Sequence, residues 1–171
     1  IMKKMSFVEA PQGIIAIVKK NKHEINYSLK RYLLCDGVSD PGNMGTIIRT
    51  ALAFNVDMVI LANGSVDIYN DKVIRGSQGA ILKIPVVYAN MVDVVNTLKE
   101  NNVDVFASTL SNRSINLKEV KSVNRFALVV GNEGSGVSQI VQDVSTYNVK
   151  IAHSTSIDSL NVGVATSIML Y

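Results

Sequence analysis

The stretch Arg31–Ala62, RYLLCDGVSDPGNMGTIIRTALAFNVDMVILA, contains two apolar runs with a helical pattern between them. The flanking runs, RYLLCDG and VDMVILA, are apolar at successive positions, as is typical of strands buried on both faces. Between them Pro41 and Gly42 break the chain, and Asn43 is a favourable N-cap for a helix that reaches Phe54. The order strand, helix, strand predicts two parallel strands joined by a crossover helix.

The same alternation continues along most of the chain. Further strands are predicted at residues 13–20, 83–89, 103–109, 125–131 and 147–152. Further helices are predicted at about 69–80, 91–101 and 138–144, and from Leu160 onward. We therefore expect one α/β domain at residues 13–171, with a mostly parallel sheet covered by helices on both faces. Residues 1–12 have the character of a tail.

Composition limits the class of protein. The chain has 171 residues, of which 47% are hydrophobic and 18% charged, as in a globular domain. No apolar run reaches the roughly 18–20 residues of a membrane span, and the first residues lack a signal-peptide pattern. The single cysteine, Cys35, excludes an internal disulfide and fits a reducing compartment. A cytoplasmic protein is the expectation.

The chain is mildly basic, with a formal net charge of +3 and a pI near 9.0. The excess positive charge lies towards the front, at Lys3, Lys4, Lys19, Lys20, Lys22, Lys30 and Arg31. This distribution is compatible with a nucleic-acid backbone as partner. An ordinary solvated surface explains it equally well, so charge alone does not decide the function.

A glycine-rich turn, GNEGSGVS at residues 131–138, follows the apolar run FALVV. In α/β proteins such a turn at the carboxyl end of a strand is where ligands bind. The glycine spacing does not match the dinucleotide fingerprint, and no P-loop lysine follows, which disfavours NAD and ATP. A tight structural loop remains an alternative. Glu133 favours a site, because a carboxylate among three glycines has few local partners.

Glycines also mark the helix in the first stretch, where Gly42, Gly45 and Arg49 fall on one line. This spacing would let another backbone or a ligand approach in front of the arginine. Arg49 could equally be a surface charge. Asn55 tolerates the left-handed conformation that follows a helix C-terminus, which explains its position without function.

Other candidates carry less information. Arg75, Ser77 and Gln78 have the pattern of a surface helix, with substrate contact as the lesser alternative. His23 and His153 have no partners at metal-ligand spacing, so no metal site is predicted. No Gly-x-Ser-x-Gly elbow is present, so hydrolase chemistry has no support.

A third stretch, STSIDSLNVGVA at residues 154–165, places Ser159, Leu160 and Asn161 at the start of the last predicted helix. These residues could simply form the cap of a buried helix. The same residues could also form part of a binding site. The two upstream stretches decide between these interpretations.

Three blocks in order resemble the TrmH-type branch of the SPOUT RNA methyltransferases, which methylate a ribose 2′-hydroxyl. They are DPGNMGTIIRTALAFN at 40–55, LVVGNEGSGVS at 128–138 and IAHSTSIDSLNVGVA at 151–165. In addition, VEAPQGIIAIVKK at 8–20 is similar to the junction between an N-terminal RNA-binding domain and the catalytic domain of two-domain rRNA members. The resemblance implies that residues 1–12 belong to an interdomain linker.

The resemblance also implies a deep trefoil knot at the C-terminus, S-adenosylmethionine as cofactor, a homodimer formed through the C-terminal helices, and RNA as substrate. The catalytic positions carried over are Asn43, Arg49, Glu133, Ser159 and Asn161. The cofactor-binding positions carried over are Thr109, Leu110, Gly131, Asn132, Gly136, Ile151 and Leu160. Three positions beside the cofactor depart from the family pattern: Ala152 and His153 stand where the family has proline and methionine, and Thr155 stands where it has glycine.

The expected reaction is methylation of 23S-type rRNA, with a tRNA enzyme or a catalytically silent RNA-binding knot domain as alternatives. The family's candidate base corresponds to Arg49, but a guanidinium with a pKa above about 12 is hard to deprotonate. Our hypothesis is that Arg49 stabilises the developing alkoxide and positions the adjacent phosphate. Glu133 and Asn43 are expected to orient it, and Ser159 and Asn161 to complete the network.

Overall fold

A computed structural model describes residues 13–111 and 114–171 of the chain. In chain order the strands are β1 (Arg31–Asp36), β2 (Met58–Ala62), β3 (Val86–Ala89), β4 (Asp104–Ser108), β5 (Ile115–Asn116), β6 (Phe126–Gly131) and β7 (Tyr147–Lys150). The helices are α1 (Pro41–Ala53), α2 (Asp71–Gly76), α3 (Met91–Glu100), α4 (Gln139–Val144) and α5 (Val162–Leu170). Short 3-10 helices lie at Ala80–Leu82 and Leu117–Glu119.

The strands form one sheet in the order β3–β2–β1–β6–β4–β7–β5, and every neighbouring pair is parallel. Parallel pairing requires each strand to return through a crossover, and the helices supply most of these connections. The predicted α/β class and parallel sheet are confirmed. The two-residue strand β5 was not predicted, because two residues carry no recognisable pattern.

Two apolar layers cover the sheet because alternate residues of each strand point to opposite faces. Tyr32 and Leu34 of β1 pack with α3 and α4 on one face, whereas Leu33 and Cys35 pack with α1, α2 and α5 on the other. All four side chains are fully buried. This two-sided burial explains the continuous apolar runs of the strand sequences.

Helix α1 begins earlier than predicted, and Asn43 is not its N-cap. Asp40 is the cap, and its Oδ1 accepts a hydrogen bond from the Asn43 backbone N–H at 2.7 Å. Pro41 suits the first helical position because it has no N–H to satisfy. The Asn43 side chain is therefore free to bond elsewhere. At the other end, Asn55 has φ 55°, as its sequence position predicted.

The helix predicted at residues 69–80 is interrupted. Helix α2 ends at Gly76, and Gln78 and Gly79 then take left-handed φ values of 48° and 83° before the 3-10 helix begins. A Cβ at Gly45 would lie 2.9 Å from the Gly76 Cα. Gly45 therefore allows the backbone of α2 to pack closely against α1. Of the two neighbours expected here, a backbone or a ligand, the structure shows the backbone.

The strand predicted at residues 13–20 is wrong, since it pairs with no strand of the described residues. Ile14 and Ile17 are 87% and 96% exposed. A β-rich apolar run predicts extended backbone, but a strand also needs an adjacent sheet edge to supply hydrogen bonds. The predicted tail at residues 1–12 lies outside the described residues. Among those described, no helix is both long and apolar enough to cross a membrane.

Arg125 fixes the segment that enters β1. Its guanidinium donates hydrogen bonds to the backbone oxygens of Tyr27 at 2.8 Å, Leu29 at 3.1 Å and Asn101 at 2.6 Å. Tyr32 adds a hydrogen bond from its hydroxyl to the Asn26 oxygen at 2.7 Å. The chain is thereby held across the amino ends of the strands, opposite the edge where ligands bind in such sheets.

Substitution of Arg125 by alanine is expected to lower the free energy of unfolding by about 2 kcal/mol, because charged donors contribute more than neutral ones. Urea denaturation followed by circular dichroism measures this change. Arg31→Ala is the matched control, because Arg31 makes one longer guanidinium bond, 3.3 Å to the Phe54 oxygen. Equal losses for the two variants would contradict the assigned role of Arg125.

Candidate active site

The site lies where β1 and β6 end side by side. Asp36 is paired with Gly131 at the last position of both strands, so the loops that follow run next to each other. Asn132 joins them, because its Nδ2 donates to the Gly37 oxygen at 2.9 Å. Its Oδ1 accepts from the Gly134 N–H, also at 2.9 Å. The glycine-rich turn is thus anchored to the loop before α1.

The glycine-rich turn folds back on itself. Asn132 and Gly136 exchange two backbone hydrogen bonds of 3.0 and 2.9 Å, and Gly136 has φ +70°. A Cβ at Gly131 would lie 2.0 Å from the Gly136 carbonyl carbon, so only glycine fits there. The turn is closed at its base by Asp36, whose Oδ2 accepts from the Ser138 N–H at 2.7 Å.

Glu133 points out of this turn towards the start of α1. Its Oε2 accepts from the Ser39 backbone N–H at 3.2 Å and the Ser39 hydroxyl at 3.0 Å. Its Oε1 accepts from the Asp40 N–H and from Asn43 Nδ2, both at 3.1 Å. Four donors therefore hold one carboxylate.

Asn43 extends the network to the third sequence block. Its Oδ1 accepts from Asn161 Nδ2 at 2.8 Å, and Asn161 Oδ1 caps α5 by accepting from the Gly163 and Val164 N–H groups. Three segments that are far apart in sequence are thus joined by Glu133, Asn43 and Asn161. Ser39 and Asp40 were not predicted as partners of Glu133, although an Asp before Pro is a recognisable N-cap signal.

The network determines the protonation of Glu133. Burial alone would raise the pKa of this carboxyl, but hydrogen bonds from Asn43 and from backbone N–H groups, including those of Ser39 and Asp40, lower it to about 2. The folded-state pKa lies below the ordinary value of 4.5. The ionised carboxylate therefore stabilises the fold above pH 4.5, and this contribution is lost as the pH falls towards 2.

We expect the difference in unfolding free energy between the parent and Glu133→Gln to be constant above about pH 5 and to shrink between pH 4.5 and about 2. In Glu133→Gln the side-chain NH2 group would face hydrogen-bond donors of the network and could not accept from them. Denaturant titrations at a series of pH values measure the difference. Ser39→Ala removes one of the four donors, the Ser39 hydroxyl. It should therefore raise the folded-state pKa of Glu133 only part of the way towards the ordinary value of 4.5. A pH-independent difference would contradict the assigned network.

A cavity of about 710 Å³ opens beside the network. All seven candidate cofactor residues line it, namely Thr109, Leu110, Gly131, Asn132, Gly136, Ile151 and Leu160. Four of the five candidate catalytic residues line it too, namely Asn43, Glu133, Ser159 and Asn161. Sequence reasoning missed Gln139, Gln142 and Met169, which also line it, because helical residues of these types carry no specific signal.

Arg49 does not join this group within one chain. It lies exposed on α1, outside the cavity, and neither the hydrogen bonds nor the ion pair found among the described residues include it. Arg49 is six residues after Asn43, which places the two side chains about 120° apart around the helix. The expected contact of Glu133 and Asn43 with Arg49 is therefore absent within the chain, and both Glu133 oxygens have other donors.

The charged side chains that line the cavity are mostly negative. Of its described lining residues, Glu133 and Asp158 are carboxylates, His153 is the one basic residue, and none is lysine or arginine. Such a lining favours a ligand with a positive centre. No group of three His, Cys, Asp or Glu side chains among the described residues could hold a metal ion.

The departures from the family pattern lie in the loop that borders the cavity. His153 lines it, and its Nδ1 is 2.9 Å from the Ser154 backbone oxygen. Thr155 is not among the described non-glycine residues with positive φ, so this loop does not require glycine there. The loop accommodates the threonine without the backbone strain that a left-handed conformation would cause.

Comparison with known proteins gives the class of the chain. The SpoU rRNA Methylase family model matches residues 30–171, and the chain belongs to this family. A solved structure of a TrmH-family protein from Porphyromonas gingivalis superposes with a TM-score of 0.82 at 32% identity, over 99% of this chain and 69% of that one.

Two further relatives carry functional names. The 23S rRNA (guanosine(2553)-2′-O)-methyltransferase RlmP of Bacillus subtilis is 38% identical over 95% of this chain and 65% of its own length. The AdoMet-bound rRNA methyltransferase of Sinorhizobium meliloti has a TM-score of 0.77 and 32% identity, over 82% of this chain and 54% of that one. The chain thus spans just under two thirds of the Bacillus relative.

Proposed function

We propose that this chain transfers a methyl group from S-adenosylmethionine to a ribose 2′-hydroxyl of RNA, with 23S-type rRNA as the substrate. The observation that carries the proposal is the Glu133–Asn43–Asn161 network at the rim of the cavity. The named activity of the Bacillus relative and the AdoMet bound by the Sinorhizobium relative support it. Methylation of rRNA would place the protein in the cytoplasm.

Four features of the cavity itself support S-adenosylmethionine as its ligand. Its volume of about 710 Å³ lies within the roughly 300–1,000 Å³ typical of small-molecule sites. The close approach of Gly131 and Gly136 leaves backbone rather than side chains at one wall. Leu110 and Leu160 supply apolar surface for an adenine, and the carboxylates of Glu133 and Asp158 favour a positive centre.

When bound, S-adenosylmethionine supplies an electrophilic methyl group, with S-adenosylhomocysteine as the leaving group. The hydroxyl proton passes to solvent water. The chain's own contribution is to position the ribose hydroxyl and to offset the negative charge that develops on its oxygen. We assign Arg49 to this second task, because a guanidinium stabilises an alkoxide and binds a phosphate without giving up its own proton. The Glu133 network fixes the start of α1, the helix that carries Arg49.

A homodimer through α5 would bring Arg49 to the reaction. Val164, Ile168 and Tyr171 are apolar and exposed on or just after this helix, at 49%, 42% and 99%. Helix α1 packs beside α5, where the hydroxyls of Thr50 and Ser167 are 3.3 Å apart. Arg49 therefore borders the proposed dimer surface. We propose that it acts in the cavity of the second copy.

The proposed fold includes the trefoil knot that the resemblance implies. Strand β7 lies beyond β4, whereas the following helix α5 packs against α1 on the far side of β6. The path of residues 151–161 from β7 to α5 passes the carboxyl ends of β4 and β6, and residues from all three segments line the cavity, which supports this proposal. We also propose that residues 1–12 belong to a linker from an N-terminal RNA-binding domain.

Calorimetric titration with S-adenosylhomocysteine tests the cofactor assignment. We expect micromolar binding, about −8 kcal/mol, by the parent and a loss of at least about 50-fold for Leu160→Arg, which places a charge against the cavity wall. Ile157→Arg is the matched control, because Ile157 lies on the same loop, is exposed and does not line the cavity.

Unchanged binding by Leu160→Arg would contradict the assigned position of the cofactor. A folded parent that does not bind at all would favour the catalytically silent RNA-binding domain instead.

A further inference from the structure

The cavity cannot supply the cations that RNA needs. RNA carries one negative charge per nucleotide, and phosphate contacts from lysine and arginine provide most of the sequence-independent affinity. The described lining contains two carboxylates and neither lysine nor arginine. The groups that hold the RNA backbone must therefore lie around the mouth of the cavity rather than inside it.

The densest group of described lysines lies at Lys19, Lys20 and Lys22, in the segment that the fold leaves outside the sheet. All three residues are exposed. The Lys20 ammonium lies 4.1 Å from the centroid of the Tyr69 ring, in a cation–π contact that holds the segment against the body of the domain. This lysine segment, residues 19–22, thus has a defined place on the surface.

Tyr69 places the lysine segment at the edge of the sheet that carries the cavity. It lies in the loop between the end of β2 and the start of α2, at the carboxyl ends of the strands. The same loop is hydrogen-bonded to the loop after β1, from the Val66 N–H to the Val38 oxygen at 3.0 Å. The next residue, Ser39, holds Glu133 at the cavity rim.

Nearby carboxylates do not cancel the charge. Asp71 is paired with Arg75 at 2.9 Å, so these two charges offset each other. Asp67 accepts the Tyr69 N–H at 2.9 Å and keeps its negative charge. Lys72 adds a further exposed positive charge on α2. Glu24, also exposed, is the first carboxylate after the lysine segment in the chain. The net charge beside Tyr69 is positive, because the lysines outnumber the unpaired carboxylates.

We infer that the lysine segment binds the phosphate backbone of the RNA substrate beside the nucleotide that enters the cavity. Exposed lysines act as mobile point charges, so these contacts hold the RNA without reading its sequence. The inference rests on the proposed function, because it assigns a substrate-binding surface to the same site. It also gives Tyr69 a role, which is to fix the segment at the edge of the sheet that carries the cavity.

Fluorescence anisotropy with a labelled RNA hairpin of about 30 nucleotides, measured over a range of NaCl concentrations, tests the inference. For Lys19→Gln/Lys22→Gln, the slope of log affinity against log salt should become shallower by about 1.4–1.8, with roughly tenfold or greater weakening near 0.1 M salt. The matched control is Lys118→Gln/Lys121→Gln, which removes two exposed charges near the opposite, β5 side of the sheet.

Variants at Tyr69 test whether the segment must be held. Tyr69→Phe keeps the aromatic face and should bind RNA as the parent does, whereas Tyr69→Leu should weaken binding although no charge is lost. Equal salt slopes for the two lysine pairs would overturn the inference. The calorimetric titration separates it from the proposed function, because absence of cofactor binding by the parent contradicts only the latter.

Discussion

Substitution of Arg49 by alanine is expected to lower methyl transfer to RNA by about 10²–10³-fold, the usual effect of removing a group that stabilises developing charge. Binding of S-adenosylhomocysteine should remain within about twofold, because the role assigned to Arg49 is towards the RNA hydroxyl and phosphate and not towards the cofactor. Single-turnover methyl transfer and calorimetry on the same preparations measure the two effects. Equal loss of cofactor affinity and rate would contradict the assignment.

Two further variants define how Arg49 acts. Arg49→Lys keeps the charge but loses the planar fork, so near-normal activity would show that bidentate geometry is not needed. If Arg49 serves the second copy, a mixture of inactive Arg49→Ala and inactive Leu160→Arg chains should regain about one quarter of the parent activity, since half of the dimers are mixed and each has one intact site. No recovery by subunits shown to exchange would place Arg49 in its own chain's site.

Substitution of Gly131 by alanine is expected to weaken S-adenosylhomocysteine binding by at least about 100-fold, because the new methyl group forces the glycine-rich turn open. Its Cβ would lie 2.0 Å from the Gly136 carbonyl carbon and 2.1 Å from the Val137 nitrogen. Calorimetry measures the affinity, and thermal unfolding shows whether the sheet remains folded.

Gly134→Ala is the matched control in the same turn. Its Cβ would meet only the Asn132 side-chain oxygen at 3.6 Å, an ordinary contact, and we expect nearly normal binding. Similar affinities for the two variants would show that the closed turn does not shape the cavity.

The sheet could be predicted from the sequence because its strands are buried on both faces. Successive apolar residues such as Leu33, Leu34 and Cys35 can be accommodated only where helices cover both sides. The segment at residues 13–20 has a similar composition, but its place outside the sheet depends on which edges are free. That property belongs to the whole fold and not to the segment.

The site was less predictable than the fold. The three sequence blocks indicated Glu133, Asn43 and Asn161, but their contact depends on the pairing of Asp36 with Gly131 at the ends of β1 and β6. A shift of register by one residue would separate the loops. The N-cap at Asp40 was missed in favour of Asn43, although this choice is what frees the Asn43 amide for Glu133.

Arg49 shows a different limit. Its helical line with Gly42 and Gly45 correctly indicated a close approach, but the approaching group is the backbone of α2 at Gly76. The position of Arg49 relative to the cavity depends on the direction of α1 and on the proposed second copy. Neither can be read from a spacing along one helix.

The most direct test of the proposed function is to identify the atom that receives the methyl group. The chain is incubated with isotopically labelled S-adenosylmethionine and 23S rRNA, and the RNA is hydrolysed in alkali. A methylated 2′-oxygen cannot attack the adjacent phosphate, so we predict label in alkali-resistant dinucleotides. With Arg49→Ala this label should appear about 10²–10³-fold more slowly. Label in mononucleotides, or no label from a chain that binds the cofactor, would contradict the proposed function.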